Sequence, residues 1–421
     1  MTAKGDMVYA WTTSSDIKGE CGGAVTSLLQ HALASGIVDA VLAVVRGKDL
    51  YDAKLELITD AAEVPKAAGS LHCGTLLSAK MVKKYLGGAK DMKIAVPVKG
   101  CDAMAFYELA KRNQVNLDNI ILIGLNCGGT VSPVVAREMI SDKYDVSPDA
   151  VFKEEIDKGQ FIIEYNDESG AHQHKGIKID ELEETPEGYG RRMNCQRCKC
   201  KVPRQADLAC GNWGVIGEKA GKATFVEVCS AKGAALLDSA VAAGAVATCA
   251  PEAKGLEIRA KVEASMLKLG DKARAHQFAE LGEGRERLEK IMNLSSRCIA
   301  CRACIENCPI CYCVECSTAK PHLVAPGQNP PDFMFHLIRF AHIADSCINC
   351  GQCQELCPME IPNALFMHAQ QVELEKMFGH VPGQNMDLPV LAFAEEMDER
   401  ARLNATGSDM IYENVFGEEG Q

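Results

Sequence analysis

The chain has 421 residues, 47% of them apolar, enough for two or three domains with cores of their own. Its net charge of −12 argues against a nucleic-acid partner, because phosphate binding needs a basic surface. Twenty-one cysteines behind an opening Met-Thr-Ala-Lys-Gly-Asp with no secretory leader pattern point to a reducing cytoplasm, and the best apolar run, 234–250, is interrupted by Asp238 and too short to span a membrane.

Taken in order, 7–11 reads as a strand that runs into Gly19-Glu20-Cys21-Gly22-Gly23-Ala24-Val25-Thr26 and a helix ending near Ala34. Strand, glycine-rich loop and helix can cradle phosphate on backbone N–H groups, though Gly-Gly before a helix is equally a tight turn. Strands are expected at 38–45, 55–59, 93–98 and 120–125. Helices are expected at 61–69, 76–86, from Lys99-Gly100-Cys101-Asp102 through Asn113, and at 133–144. The alternation predicts an α/β layer with a substantially parallel sheet. Cys101 and Cys127 follow strand C-termini, the edge where such sheets bind ligands.

Residues 151–179 turn charged and read as hairpin strands around a polar turn at 166–170, with His172 and His174 solvated beside it. Cys195-Gln-Arg-Cys198-Lys-Cys200 is a second metal signal, which zinc knuckles also use. A strand at 224–229 and a helix at 233–245 follow. From 257 to 294 the chain reads as a charged helical connector broken at Gly270, Gly282 and Gly284. Cys229 and Cys249 read as buried small hydrophobes.

The run Cys298-Ile-Ala-Cys301-Arg-Ala-Cys304-Ile-Glu-Asn-Cys308-Pro309 recurs as Cys347-Ile-Asn-Cys350-Gly-Gln-Cys353-Gln-Glu-Leu-Cys357-Pro358. Three thiolates two residues apart wrap one face of a cubane, and the fourth, before proline, closes the other cluster. One [4Fe–4S] cluster is therefore expected on Cys298, Cys301, Cys304 and Cys357, and a second on Cys347, Cys350, Cys353 and Cys308. Between the runs, 332–345 predicts a helix with Phe333, Leu337, Ile338 and Phe340 or Ala341 on its apolar side, and another helix follows Pro362. The module resembles the α-helical ferredoxin of heterodisulfide-reductase and succinate-dehydrogenase iron–sulfur subunits. Cys311, Cys313 and Cys316 exceed the ligands these clusters need, leaving packing or a metal or redox role open. After Pro389 a terminal helix and polar tail are expected.

The Gly-x-Cys-Gly-Gly-x-Val-Thr loop, Gly69-Ser70, Gly100-Cys101, Leu125-Asn126-Cys127, Cys195-x2-Cys198 and Ala206-Asp207 before Gly211-Asn212-Trp213-Gly214 resemble, in that order, the β subunits of coenzyme F420-reducing hydrogenase and F420-dependent formate dehydrogenase. The likeness covers about residues 5–250, and the appended ferredoxin favours the formate dehydrogenase type. It implies an α/β (α+β) flavin-binding N-terminal domain (1–250), beyond which the chain reads as a helical connector (251–294), an α-helical ferredoxin-like domain (295–380) and a C-terminal helix and tail (381–421). It further implies FAD contacts at Gly22, Gly23, Thr26 and Ser70, and a third [4Fe–4S] cluster on Cys101, Cys127, Cys195 and Cys198, with Cys200 or Cys210 as possible substitutes. Gly100 departs from relatives that carry proline there.

The implied activity takes electrons from formate oxidation in a molybdopterin-type catalytic partner and reduces coenzyme F420 through FAD. In a branch reading it also passes electrons to a heterodisulfide reductase complex. Clusters carry single electrons and a deazaflavin takes a hydride, so a flavin must convert between them. Lys80, Lys83, Lys84 and Lys99 are candidates for a basic patch that docks F420. The alternatives are the β subunit of an F420-reducing hydrogenase-type complex and a flavin-free iron–sulfur scaffold.

Overall fold

The computed structural model describes residues 1–185, 187–313 and 315–387; the expected C-terminal helix and tail after Pro389 lie outside them. The first elements are β1 (Met7–Thr12), α1 (Ala24–Ala34), β2 (Ala40–Arg46), β3 (Ala53–Ile58), α2 (Ala79–Tyr85), β4 (Ile94–Lys99), α3 (Gly100–Ala110), β5 (Ile120–Leu125), α4 (Pro133–Tyr144), β6 (Val151–Asp157), β7 (Gln160–Asn166) and β8 (His172–Lys178). There follow α5 (Ile179–Glu183), α6 (Met193–Gln196), β9 (Leu208–Gly211), β10 (Thr224–Val228), α7 (Ala231–Ala242), β11 (Val246–Cys249), α8 (Ala253–Leu281), α9 (Gly284–Ser295), α10 (Ala303–Glu306), α11 (Phe333–Ile343), α12 (Gln352–Glu355) and α13 (Asn363–Phe378). Two compact units result, and they do not follow chain order. The first comprises Met1–Ser78, Met92–Gly100 and Ile120–Asp271, and the second takes Ala79–Asp91, Cys101–Asn119 and the chain from Lys272.

In the first unit an eight-stranded sheet runs β11-β1-β10-β9-β5-β4-β2-β3. The pairs β2–β4, β4–β5 and β5–β9 are parallel, and antiparallel strands flank them. Ile120-Ile-Leu-Ile-Gly-Leu125 is an unbroken apolar run because a central parallel strand is covered on both faces. One cover is α1 and α7, whose Leu28, Leu29, Leu236 and Leu237 pack with Ile123, Leu208 and Val226 of the sheet. A second core joins Met139, Ile140 and Tyr144 of α4 to Phe161 and Ile163 of the separate β6-β7-β8 sheet, where the Tyr144 hydroxyl donates to the Phe161 carbonyl at 2.6 Å.

Several expectations needed correction. The charged stretch holds three strands, not two, because Glu154 of β6 points inward, 1% exposed, and accepts from the Cys73 thiol at 2.7 Å and from the His72 and Cys73 amides. Strand β9 is four residues long and β11 hides in an alanine-rich run, so neither has a readable period. Cys249 is exposed on edge strand β11 rather than buried. Gly270 does not break a helix. Helix α8 runs through it, and the missing side chain admits the Cys198 carbonyl, 2.9 Å from where a Cβ would stand. The chain turns instead at Gly282, φ +78°.

The second unit is helical. Leu281, Ile361, Leu365, Phe366 and Ala369 form its core with Phe278 and Ile291. Helix α3 is held there by a buried ionic knot. Glu108 accepts from Lys111 at 2.6 Å, from Arg112 at 3.1 Å and from the Gly383 amide at 2.7 Å, while Arg112 also donates to Ser346 at 2.8 Å. Helix α11 begins where expected, with Asp332 accepting from the Met334 amide, but its buried face is Phe335, His336, Arg339 and Ile343, and Leu337 is exposed. The hydrophobic period misassigned this face because an arginine and a histidine occupy it.

Candidate metal centres and cofactor loop

The two cysteine runs fold alike. Ala300 and Arg302 in the first, and Asn349 and Gly351 in the second, take positive φ (+53°, +62°, +53° and +80°), and each run then enters a one-turn helix, α10 or α12. Left-handed backbone costs a non-glycine residue roughly 1–2 kcal/mol. Its repetition in both loops marks a site where strain is held for a purpose. The turns bring amides to sulfur: Ala300 N–H donates to Cys298 Sγ and Ile361 N–H to Cys357 Sγ, both at 3.4 Å.

Cys298, Cys301, Cys304 and Cys357 line one cavity, together with Phe335, His336 and Met359. Cys357 ends the second run, so this grouping is crossed. The other set gathers likewise: Cys308 is in electrostatic contact with Cys347, and Cys350 with Cys308 and Cys353. Burial pushes the Cys308 and Cys353 thiols up to about 12 and Cys350 well above its ordinary value. Such thiols stay protonated and inert unless a cation replaces the proton, which is what ligated iron does. Among the described residues no group of three or more His, Cys, Asp or Glu side chains closes around a single ion; the sulfurs of the first set line a cavity instead. The cations needed beside an anionic cluster are present. Arg339 donates to the Cys304 carbonyl at 2.9 Å, Lys80 to Cys308 O at 3.2 Å and Lys83 to Cys311 O at 2.9 Å. Burial and the neighbouring Lys80 lower the Lys83 ammonium to about 8. Lys80 and Lys83 therefore grip the ferredoxin loops and are not a free docking patch.

The surplus cysteines sit in the same unit. Cys313 Sγ lies 3.5 Å from His342 Nδ1 and Cys316 Sγ 2.9 Å from Thr318 Oγ1. Tyr312, between Cys311 and Cys313, is clasped by the Gln114 amide on its carbonyl, 2.7 Å, and by Arg112 over its ring.

In the first unit, Cys127 just past β5, Cys195 in α6 and Cys198 come together, joined by Cys200. Cys127 is in electrostatic contact with Cys195 and Cys198, and Cys200 with Cys198 and Cys127. Burial tends to raise the Cys195 thiol, but Arg192, Thr130 and Lys201 outweigh it and lower the pKa. Lys201, 2% exposed, donates to the Cys195 carbonyl at 3.1 Å. Cys101 belongs to the second unit, in electrostatic contact with Cys350. Cys210 is a core residue of β9, 1% exposed, whose neighbouring thiol is Cys229, so it is no substitute ligand. Gly100 is explained by Cys200, whose Sγ lies 2.5 Å from where a Cβ would be.

Of the expected FAD residues, Gly22 and Gly23 have φ of +79° and +67°, and a Cβ on Gly22 would lie 2.6 Å from both Ala223 Cα and the Lys222 carbonyl. Gly23 caps α1 without a side-chain hydrogen bond, Thr26 is buried in its first turn, and Ser70 is exposed and hydrogen-bonded to Glu20. The sequence reading missed Arg339, His336 and Lys201; a basic residue inside an otherwise apolar helix between two cysteine runs was the available signal for the first.

A mixed α/β sheet domain with a glycine loop, joined to a helical domain with twin ferredoxin loops, defines an iron–sulfur oxidoreductase subunit. Family models agree: residues 7–83 and 91–254 match the N- and C-terminal parts of the coenzyme F420 hydrogenase/dehydrogenase β subunit, and 297–362 match a 4Fe–4S dicluster domain. The chain is 48% identical over 89% of its length to the F420-dependent formate dehydrogenase subunit beta of Methanocaldococcus jannaschii, covering 95% of that protein. It is 51% identical over 91% to the F420-dependent formate dehydrogenase 1 subunit beta of Methanococcus maripaludis, covering 97% of it. A chain in the F420-reducing [NiFe] hydrogenase complex of Methanosarcina barkeri shares the fold, with a TM-score of 0.53 at 21% identity over 64% of this chain and 91% of that one. The chain belongs to the F420-dependent formate dehydrogenase β-subunit family. Among the described residues no helix is long and apolar enough to cross a membrane.

Proposed function

We propose that this chain is the electron-transfer subunit of a cytoplasmic formate dehydrogenase, receiving electrons from a molybdopterin-type catalytic subunit and reducing coenzyme F420 through FAD. The observation that carries the reading is the crossed grouping of eight cysteines into two sets, in a chain whose relatives bear that name. Cys298, Cys301, Cys304 and Cys357 would hold one [4Fe–4S] cluster, and Cys347, Cys350, Cys353 and Cys308 the second. Cys127, Cys195 and Cys198 are assigned to a third, with the fourth thiolate from Cys101 by the family pattern; Cys200 is the rival for that place because its sulfur neighbours Cys127 and Cys198. FAD is assigned to Gly22, Gly23, Thr26 and Ser70 by the family pattern, on a glycine-capped helix start whose cap makes no side-chain hydrogen bond. When bound, the flavin supplies the exchange between single electrons and a hydride.

Anaerobically purified protein should contain about twelve irons per chain and release FAD into acid supernatant, read by absorbance. Iron near eight would remove the third cluster, and no released flavin would favour an iron–sulfur scaffold. A link onward to a heterodisulfide reductase complex is tested without truncation, because residues 79–91 and 101–119 pack in the second unit and a cut near Gly282 would strip them of their partners. If Cys347→Ala in complex with the catalytic subunit still reduces F420 with formate at the full rate, the second set serves a branch; if reduction stops while dithionite still drives it, the set is an obligatory inlet.

A further inference from the structure

Arg339 is 5% exposed, its guanidinium cannot be deprotonated, and among the described residues no carboxylate pairs with it. Nη2 donates to the Cys304 carbonyl at 2.9 Å, whereas Nη1 has no hydrogen-bond partner among the described residues. The thiols of Cys304, Cys353, Cys308 and Cys311 lead the groups in electrostatic contact with it, and Cys298 and His336 feel its charge as well. Cys304 belongs to the first cysteine set, and Cys308 and Cys353 to the second. An unpaired buried guanidinium is strongly destabilising, so its presence implies negative charge on both sides. By contrast, Lys83 faces Cys308, Cys311 and Cys313, and Arg302 lines the cavity of the first set. Arg339 reaches both sets because α11 lies in the interval between the runs.

We propose that Arg339 is a potential-setting residue shared by the two [4Fe–4S] clusters, an inference that rests on the cluster reading above. Adding an electron to a cluster makes no bond and breaks none; it adds one negative charge. A fixed positive charge in a water-poor site stabilises the reduced form more than the oxidised one, and so raises the midpoint potential. Sharing the charge raises both potentials together and keeps the passage of an electron from one cluster to the other close to level. One guanidinium thereby serves both the reducibility of each cluster and the evenness of the step between them.

The test is an EPR-monitored redox titration of the full chain with the variants Arg339→Gln, Arg339→Met and Arg339→Lys, each with iron analysis. Both cluster potentials should move to more negative values in a neutral variant that keeps its iron, and Lys should restore them most of the way. Lys83→Met should shift the Cys308-containing cluster alone. Should both neutral variants lose iron while Lys keeps it with potentials near wild type, the requirement for charge stands. Unchanged potentials in an iron-replete neutral variant, a shift confined to one cluster, or loss of iron from all three variants would overturn the inference, the last showing a purely structural role. Wild-type protein without cluster signals would instead fell the underlying reading.

Discussion

Crossed ligation makes a prediction that sequence order alone would reverse. Cys357 closes the second run, yet it lines the cavity of Cys298, Cys301 and Cys304 and packs in the same cluster of side chains as Cys298. Cys357→Ala should therefore remove the cluster on the first run, lowering iron by about four per chain. Alanine is chosen because a serine oxygen can still ligate. Adding Cys298→Ala should cost no further iron if both residues serve one cluster, as proposed, whereas adding Cys347→Ala should bring the loss to about eight. Two perturbations at one site do not add, and two at separate sites do. Iron determination on anaerobically purified double variants, with EPR of the reduced protein to count spin systems, reads the difference directly. If the Cys357/Cys298 pair loses eight and the Cys357/Cys347 pair four, each run binds its own cluster and the geometric reasoning is wrong.

Other expectations concern packing and pH. Gly100→Ala would set a Cβ against Cys200 Sγ and its carbonyl, 2.5 and 2.8 Å away, and should destabilise the chain by about 1–3 kcal/mol, seen as a lower denaturation midpoint. Gly270→Leu should push α8 off the Cys198 carbonyl and lower the iron of the cluster proposed at Cys127, Cys195 and Cys198, leaving the EPR of the two proposed ferredoxin clusters unchanged; a stable, iron-replete variant would refute the close approach. Burial, and secondarily Lys153, lowers the His72 imidazole to about 4. Between its ordinary pKa and about 4 the unfolded chain binds a proton that the folded chain does not, so stability falls as pH drops through that window, by at most about 3 kcal/mol. His72→Phe should flatten that part of the acid limb in denaturation measured from pH 7 to 5, read relative to the variant's own stability at pH 7.

The iron–sulfur signal at 297–362 was legible because it is local. Thiol spacing within seven residues fixes the loop, and the repeat with its Cys-Pro ends implies the exchange of fourth ligands. The apolar runs of β4 and β5 and the start of α11, where Asp332 accepts from the Met334 amide, were readable for the same reason: burial and capping of those segments follow from their own side chains. What the tertiary structure decided was every case in which a polar group is satisfied by something distant. Glu154 turns inward because the amides and thiol of residues 72 and 73 solvate it, and that hides β6. Arg339 and His336 occupy the buried face of α11 because thiols, not water, lie beyond them. Gly270 sits inside a helix because a carbonyl from residue 198 needs the room. Residues 79–91 and 101–119 fall in with the ferredoxin region, although the sheet strands on either side of them stay in the first unit. A periodicity reports which side of an element avoids water, but the choice of which buried charge meets which distant partner is made only when the chain has closed around both.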